Sequence, residues 1–117
     1  MLVRTEIDRR VLQNEIPTII QYDSFPINFY LLHNDETTFD LAGYEATFKM
    51  REFTSTENTI STTATITNVN NGIVTYTFTT TDTQNTGLYL AEIEVLETTT
   101  NKIYSSQLGK IIITEEI

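Results

Sequence analysis

Apolar and polar residues alternate along most of the chain in short runs that are separated by turn residues. Strict alternation places apolar side chains on one face of an extended strand, and many such runs at short spacing are typical of an antiparallel sandwich or barrel. The pattern therefore predicts an all-β domain of about seven strands. Their expected bounds are 18–22, 25–32, 44–51, 60–69, 73–80, 88–97 and 102–115.

Residues at the turns indicate which kind of all-β fold to expect. Asn71-Gly72 stands between two alternating runs and predicts a hairpin with a type I′ turn, in which both residues take positive φ. Gly109 predicts a bulge in the last strand. Tyr89 lies at the start of the sixth run, where immunoglobulin-like sandwiches carry a tyrosine whose hydroxyl bonds back to the preceding corner. We expect an immunoglobulin-like antiparallel β-sandwich over residues 17–117.

The first sixteen residues do not follow the pattern. Val3, Ile7 and Val11 have the i, i+4, i+8 spacing of a short amphipathic helix, whereas Thr5 and Ile7 also suit an edge strand. Both alternatives remain open from the sequence. We treat residues 1–16 as an N-terminal arm that docks on its own domain or packs on a neighbouring subunit.

Composition sets the broad class. The chain has 117 residues, which is enough for one core and too few for two. Threonine, whose branched Cβ favours strands, makes up about a fifth of it. The absence of cysteine excludes disulfides and cysteine-based zinc sites, and the net charge of −9 disfavours nucleic acid as a partner. No stretch approaches the ~18 apolar residues of a membrane span, so we expect no membrane partner.

Candidate catalytic chemistry is sparse, and we expect the chain not to be an enzyme. His33 is the single histidine, lies in a polar loop and is accompanied by no Gly-x-Ser-x-Gly motif. Glu92 and Glu94 share a strand face, but a solvated face explains them better than the deep cleft of a glycosidase. A carboxylate-rich loop lacks the calcium-loop spacing; its acidic residues are Asp35, Glu36 and Asp40. We predict no catalytic, cofactor or metal site.

The tyrosines indicate an alternative function, which is sugar binding. Several of them on one exposed face would form a platform for stacking a sugar, as in a carbohydrate-binding or adhesin-type β-sandwich module of a cell-surface protein. That alternative requires coplanar, exposed rings, and we regard a glycan as a possible but disfavoured ligand. The candidate tyrosines are Tyr22, Tyr30, Tyr44 and Tyr104.

Charge is unevenly placed along the chain. Three arginines balance three carboxylates within residues 1–16, so the whole net charge of −9 falls on the rest. A basic arm on an acidic body can pair with the acidic face of the next copy, which makes these arginines candidate partner-binding residues. We expect truncation of residues 1–16 to abolish self-association and to leave folding intact. The three arginines are Arg4, Arg9 and Arg10.

Five segments of the chain carry a distinct set of motifs: 21–24, 25–35, 40–50, 71–74 and 86–92. They comprise a strand ending in a polar loop, an Asp-Leu-x-Gly hinge, an alternating strand that ends in Lys or Arg, the Asn-Gly hairpin and the Gly-Leu-Tyr strand entry. Together these segments resemble the N-terminal domain of baseplate upper proteins from phages of Gram-positive bacteria, whose recurring opening has the same loop, hinge and strand.

This resemblance implies a phage virion structural protein. Members of the family carry an immunoglobulin-like sandwich that attaches to the tail apparatus and positions receptor-binding proteins. The implied partners are other tail and baseplate proteins and further copies of the chain, and the implied location is the virion after synthesis in the host cytoplasm. Because the sequence stops at Ile117, we expect either a small stand-alone virion protein or the anchoring domain alone.

Overall fold

A computed structural model describes residues 1–7, 10–12 and 16–115, and gives only the backbone of residues 7, 10–12, 107 and 108. These residues form nine strands and no helix, and so contain no helix that could cross a membrane. The strands are β1 (Leu2–Ile7), β2 (Arg10–Leu12), β3 (Thr18–Ile20), β4 (Pro26–Leu32), β5 (Tyr44–Glu52), β6 (Ile60–Asn68), β7 (Ile73–Thr77), β8 (Gly87–Glu97) and β9 (Ile103–Thr114).

The strands form one curled, mixed sheet in the order β2-β1-β4-β7-β6-β5-β8-β9-β3. All neighbours are antiparallel except β3 and β9, which run parallel. Strand β6 makes the corner, because it pairs with β5 up to Ala64 and with β7 from Thr65 onward. The Phe29 ring of β4 stacks on the Phe48 ring of β5 with centroids 5.7 Å apart, although two strands separate them in the sheet order. The two halves of the sheet therefore face each other across one core.

All seven predicted strands are present, and their ends lie within three residues of the expected ones. Strand β8 shows why alternation was informative: Tyr89, Ala91, Ile93 and Val95 are buried, while the residues between them are partly exposed. The all-β prediction is confirmed. The described residues form nine strands where about seven were expected from turn spacing, and the finer immunoglobulin-like assignment stays a prediction.

The first segment of the chain forms strands. Strand β1 pairs with β4 over six residue pairs, and β2 pairs with the other side of β1. Of the two alternatives left open by the sequence, a strand is correct for Leu2–Ile7, and it lies inside the sheet instead of at its edge. Deleting residues 1–16 would uncover β4 along its length. Such a truncation would disturb folding, contrary to our expectation that folding stays intact.

The β6–β7 hairpin is confirmed, but its turn is not type I′. The loop spans Val69 to Gly72, and only Gly72 has positive φ, at 65°. The Asn71 N–H is instead held by the side-chain oxygen of Asn68 at 3.1 Å. A bulge at Thr67 shifts the register of β6 against β7, so four residues rather than two complete the reversal.

The predictions for Gly109 and Tyr89 are also confirmed. The β8–β9 register shifts between Ala91, opposite Gly109, and Glu92, opposite Gln107. Gly109 takes a φ of 87° at this bulge. The Tyr89 hydroxyl donates to the backbone carbonyl of Asn85 at 2.8 Å, which ties the start of β8 to the corner before it.

The hydrogen bond of a second tyrosine, Tyr76, predicts how the free energy of unfolding changes with pH. The Tyr76 hydroxyl donates to Asp82 Oδ2 at 2.6 Å, and the same oxygen accepts the Thr79 N–H at 3.0 Å. Burial, followed by the Asp82 carboxylate, raises the pKa of Tyr76. Its stabilising contribution is therefore complete below the unfolded pKa of about 10 and is lost as pH rises above it.

We expect Tyr76→Phe to lower the free energy of unfolding by about 1 kcal/mol at pH 7, because the lost bond is partly solvated. The difference from wild type should shrink above pH 10. Urea unfolding at pH 7 and pH 10.5 measures both effects, and Tyr22→Phe, at an exposed tyrosine, is the control. A difference that stays constant with pH would contradict this assignment.

Candidate interaction surface

The three arginines predicted from charge patterning are not brought together in the described structure. Arg4 Nη2 lies 3.4 Å from Glu36 Oε1 of the same chain, with both side chains exposed. An exposed pair of this kind contributes little to stability. Arg9 lies outside the described residues, and Arg10 is described by its backbone in β2 alone. Their role in partner binding stays a prediction.

The loop with His33 and the acidic residues is held by local bonds. The His33 ring stacks on the Phe39 ring with centroids 4.6 Å apart. Asp35 Oδ1 accepts both the N–H and the hydroxyl of Thr37, and these bonds lower the pKa of Asp35. Asp40 Oδ1 accepts the Ala42 N–H at 2.9 Å. Within the part of the chain that the structure describes, no three His, Asp or Glu side chains are arranged to hold a metal ion.

The four candidate tyrosines do not form a flat platform. Tyr44 and Tyr104 are neighbours, with centroids 6.2 Å apart, but their planes are inclined at 60°. The Tyr44 hydroxyl donates to Glu97 Oε2 at 3.1 Å. Tyr30 lies on β4 in the other half of the sheet, and Tyr22 follows β3. The arrangement gives no coplanar set of rings for a sugar.

The carboxylates of β8 face a cation. Lys49 Nζ lies 2.7 Å from Glu94 Oε2, and this bond raises the pKa of Lys49. Glu92 is directly opposite Lys49 in the β5–β8 register. These three residues form a charged face across β5 and β8.

The pairing of β5, β8 and β9 forms a surface that the sequence analysis did not predict. Arg51 of β5 is opposite Leu90 of β8, which in turn is opposite Lys110 of β9. Residues directly opposite each other share a sheet face. Because the flanking Ala91 and Ile111 are buried, this row points outward. Two cations therefore flank a leucine in the outer face of an acidic protein.

An apolar row lies beside the basic one. The Phe53 N–H donates to the Leu88 carbonyl at 2.9 Å, and Leu88 is opposite Ile112. Leu88 and Ile112 are half-buried, whereas Phe53 is 47% exposed. An open hollow of about 370 Å³ lies between Phe53 and Leu88. We call the two rows the basic–apolar face: Arg51, Phe53, Leu88, Leu90, Lys110 and Ile112.

The side chains of this face are partly ordered by their own contacts. Lys110 Nζ lies 5.5 Å from the centroid of the Phe53 ring, within the range of a cation–π interaction. Arg51 Nη1 donates to the Ser55 carbonyl at 3.1 Å, which fixes the guanidinium. Neither cation forms a salt bridge with a described carboxylate. An exposed aromatic ring, an arginine and half-buried aliphatic side chains together are typical of the core of a protein interface.

The described residues thus define the class as an all-β domain built on one curled sheet. Among known families, the model of the BppU N-terminal domain matches residues 4–116. The chain belongs to the BppU N-terminal domain family, and is thus a phage baseplate structural protein that associates with other structural proteins in the virion. The resemblance seen in the sequence is confirmed. A search among curated proteins found no match.

Proposed function

We propose that the chain is an adaptor domain of the baseplate. It docks on the tail through the basic–apolar face and carries or positions receptor-binding proteins, and it acts by binding without catalysis. It is made in the host cytoplasm and joins the virion as a homo-oligomer. The observation that carries the proposal is the pair of outward rows in which Arg51 and Lys110 flank Leu90 beside an exposed Phe53.

The chemistry of the face indicates the chemistry of its partner. Arg51 and Lys110 favour a partner surface with carboxylates, and Phe53 with Leu88 favours an apolar side chain that fills the hollow between them. The chain as a whole is acidic, with a net charge of −9, which supports proteins rather than nucleic acid as partners. No observation favours the carbohydrate-binding alternative, since Tyr44 and Tyr104 are inclined to each other.

Charge reversal tests the proposal. We expect the double variant Arg51→Glu/Lys110→Glu to enter virions at least about tenfold less than wild type, since losing ~1.4 kcal/mol of docking energy is enough for that. The variant is supplied to a phage that lacks its own copy, and the chain and receptor-binding proteins in purified particles are measured by mass spectrometry. Both amounts should fall together.

A matched control separates docking from net charge. Thr63→Glu/Thr65→Glu/Lys102→Glu makes the same change in charge at exposed residues outside the basic–apolar face and outside the three candidate arginines. It should enter virions like wild type. If this control is excluded while the first variant is incorporated, the basic–apolar face is not the docking surface. Normal receptor-binding protein in particles without the chain would remove the carrier role.

A further inference from the structure

Strand β3 presents an open sheet edge. It ends the strand order and, among the described residues, pairs only with β9. The Pro17 carbonyl accepts the Ile112 N–H at 3.0 Å, and the Gln21 N–H donates to the Thr114 backbone carbonyl at 2.7 Å. Successive residues of a strand point their backbone groups to opposite sides, so the odd-numbered residues here face β9. The N–H and C=O of Thr18 and the N–H of Ile20 therefore point away from the sheet.

The side chains along this edge are unusually apolar. Ile19 is 1% exposed and lies in the core, whereas Ile16, Ile20 and Tyr22 are 48%, 42% and 51% exposed. Thr18, which is also exposed, lies between the two isoleucines. An apolar row beside unpaired backbone donors is a template for the addition of a strand.

Among the described residues of this edge, 16–22, the usual protection of an edge strand is missing. Natural edges are blocked by charges, especially lysine, or by proline. Residues 16–22 contain no charged residue, in a chain with a net charge of −9. Pro17 does not block the edge, because its nitrogen is on the β9 side in the alternation given above. Residues 16–22 themselves therefore add no charge repulsion between two copies of this acidic chain.

We propose that a second copy of the chain occupies this edge, with the two β3 strands antiparallel about a two-fold axis at Thr18. In that register Thr18 exchanges both backbone hydrogen bonds with Thr18 of the partner subunit. Ile20 lies opposite Ile16 of the partner subunit, and the reverse contact follows by symmetry. Ile16 and Ile20 are each two residues from Thr18, so the segment is complementary to itself. This inference names the contact behind the homo-oligomer of the proposed function.

The proposed contact buries little surface, and we therefore expect it to be weak. Two short edges bury less than the area of a stable interface, so we expect a dissociation constant between about 1 µM and 1 mM for the isolated chain. Sedimentation equilibrium of the whole chain up to about 1 mM should show a monomer–dimer equilibrium. Ile20→Lys should weaken the dimer at least tenfold, because it places two like charges at the new seam. Ile103→Lys, at another exposed isoleucine of the sheet, should not.

The register has its own test, since the chain has no cysteine. Thr18→Cys places two thiols opposite each other, with Cβ atoms about 5 Å apart, and mild oxidation should give a covalent dimer. Ile20→Cys is the matched control: it lies opposite residue 16, so its own thiols are about 13 Å apart and should not join. A wild-type monomer at all concentrations would overturn the proposal, as would equal cross-linking of the two variants. Dimer formation needs no other baseplate protein, so this test and the virion test can fail separately.

Discussion

Replacing Phe48 with alanine is expected to lower the free energy of unfolding by about 3–5 kcal/mol, the usual cost of removing a fully buried aromatic ring. Phe48 is completely buried on β5. Its ring stacks on Phe29 at 5.7 Å and on Tyr76 at 4.5 Å, and meets the edge of Phe78 at 5.6 Å. These partners lie in or just after β4 and β7, in the other half of the sheet. The ring therefore joins the two halves of the curled sheet.

Urea unfolding of Phe48→Ala against wild type measures this loss, which should also lower the melting temperature by roughly 10–20 °C. Phe53→Ala is the matched control, since Phe53 follows the same strand but is 47% exposed. It should cost less than about 1 kcal/mol. Comparable losses in the two variants would mean that the aromatic stack does not hold the halves together.

The strands could be predicted because their signal is local. In β5 and β8 one face is buried and the other is solvated, so burial imposes a period of two on the sequence itself. The position of β1 has no such signal. Its placement beside β4 depends on six cross-strand pairs between residues twenty or more positions apart, and residues 1–16 alternate too briefly to show it.

The candidate surfaces were missed for the same physical reason. Arg51 and Lys110 are far apart in the sequence and become neighbours of Leu90 only through the register of three strands. The charge pattern instead drew attention to Arg4, which pairs with Glu36. The outward positions of Arg51 and Lys110 in their alternating runs could have indicated the basic–apolar face. The sequence has no comparable signal for the open edge of β3, because the position of a strand at a sheet edge depends on the whole topology.

Gly72 shows a second limit of sequence reasoning and gives the last prediction. The Asn-Gly pair indicates a turn, but not what the turn touches. A Cβ at Gly72 would lie 2.5 Å from the Phe39 carbonyl oxygen and 2.8 Å from the Leu31 carbonyl oxygen, both of them backbone atoms. The Leu31 N–H donates to the Gly72 carbonyl at 2.8 Å. The β6–β7 turn is thus seated directly on the end of β4 and the loop after it.

We expect Gly72→Ala to lower the free energy of unfolding by about 3 kcal/mol or more. Positive φ alone costs a residue with a Cβ about 1–2 kcal/mol. Relieving the overlap must also move the turn away from β4 and weaken its bond to Leu31, which adds about 1–2 kcal/mol. Denaturant unfolding measures the sum.

Gly43→Ala separates the two contributions. Gly43 also has positive φ, at 78°, but apart from Gly43 and its two chain neighbours no described residue has an atom within 4 Å of a Cβ built there. Gly43→Ala should therefore lower the free energy of unfolding only by the cost of positive φ, about 1–2 kcal/mol. The difference between the two alanine variants measures how closely the turn packs on β4. Equal losses would place the whole requirement for Gly72 in its φ angle, as the sequence motif alone suggests, and would remove the close approach as a reason for glycine.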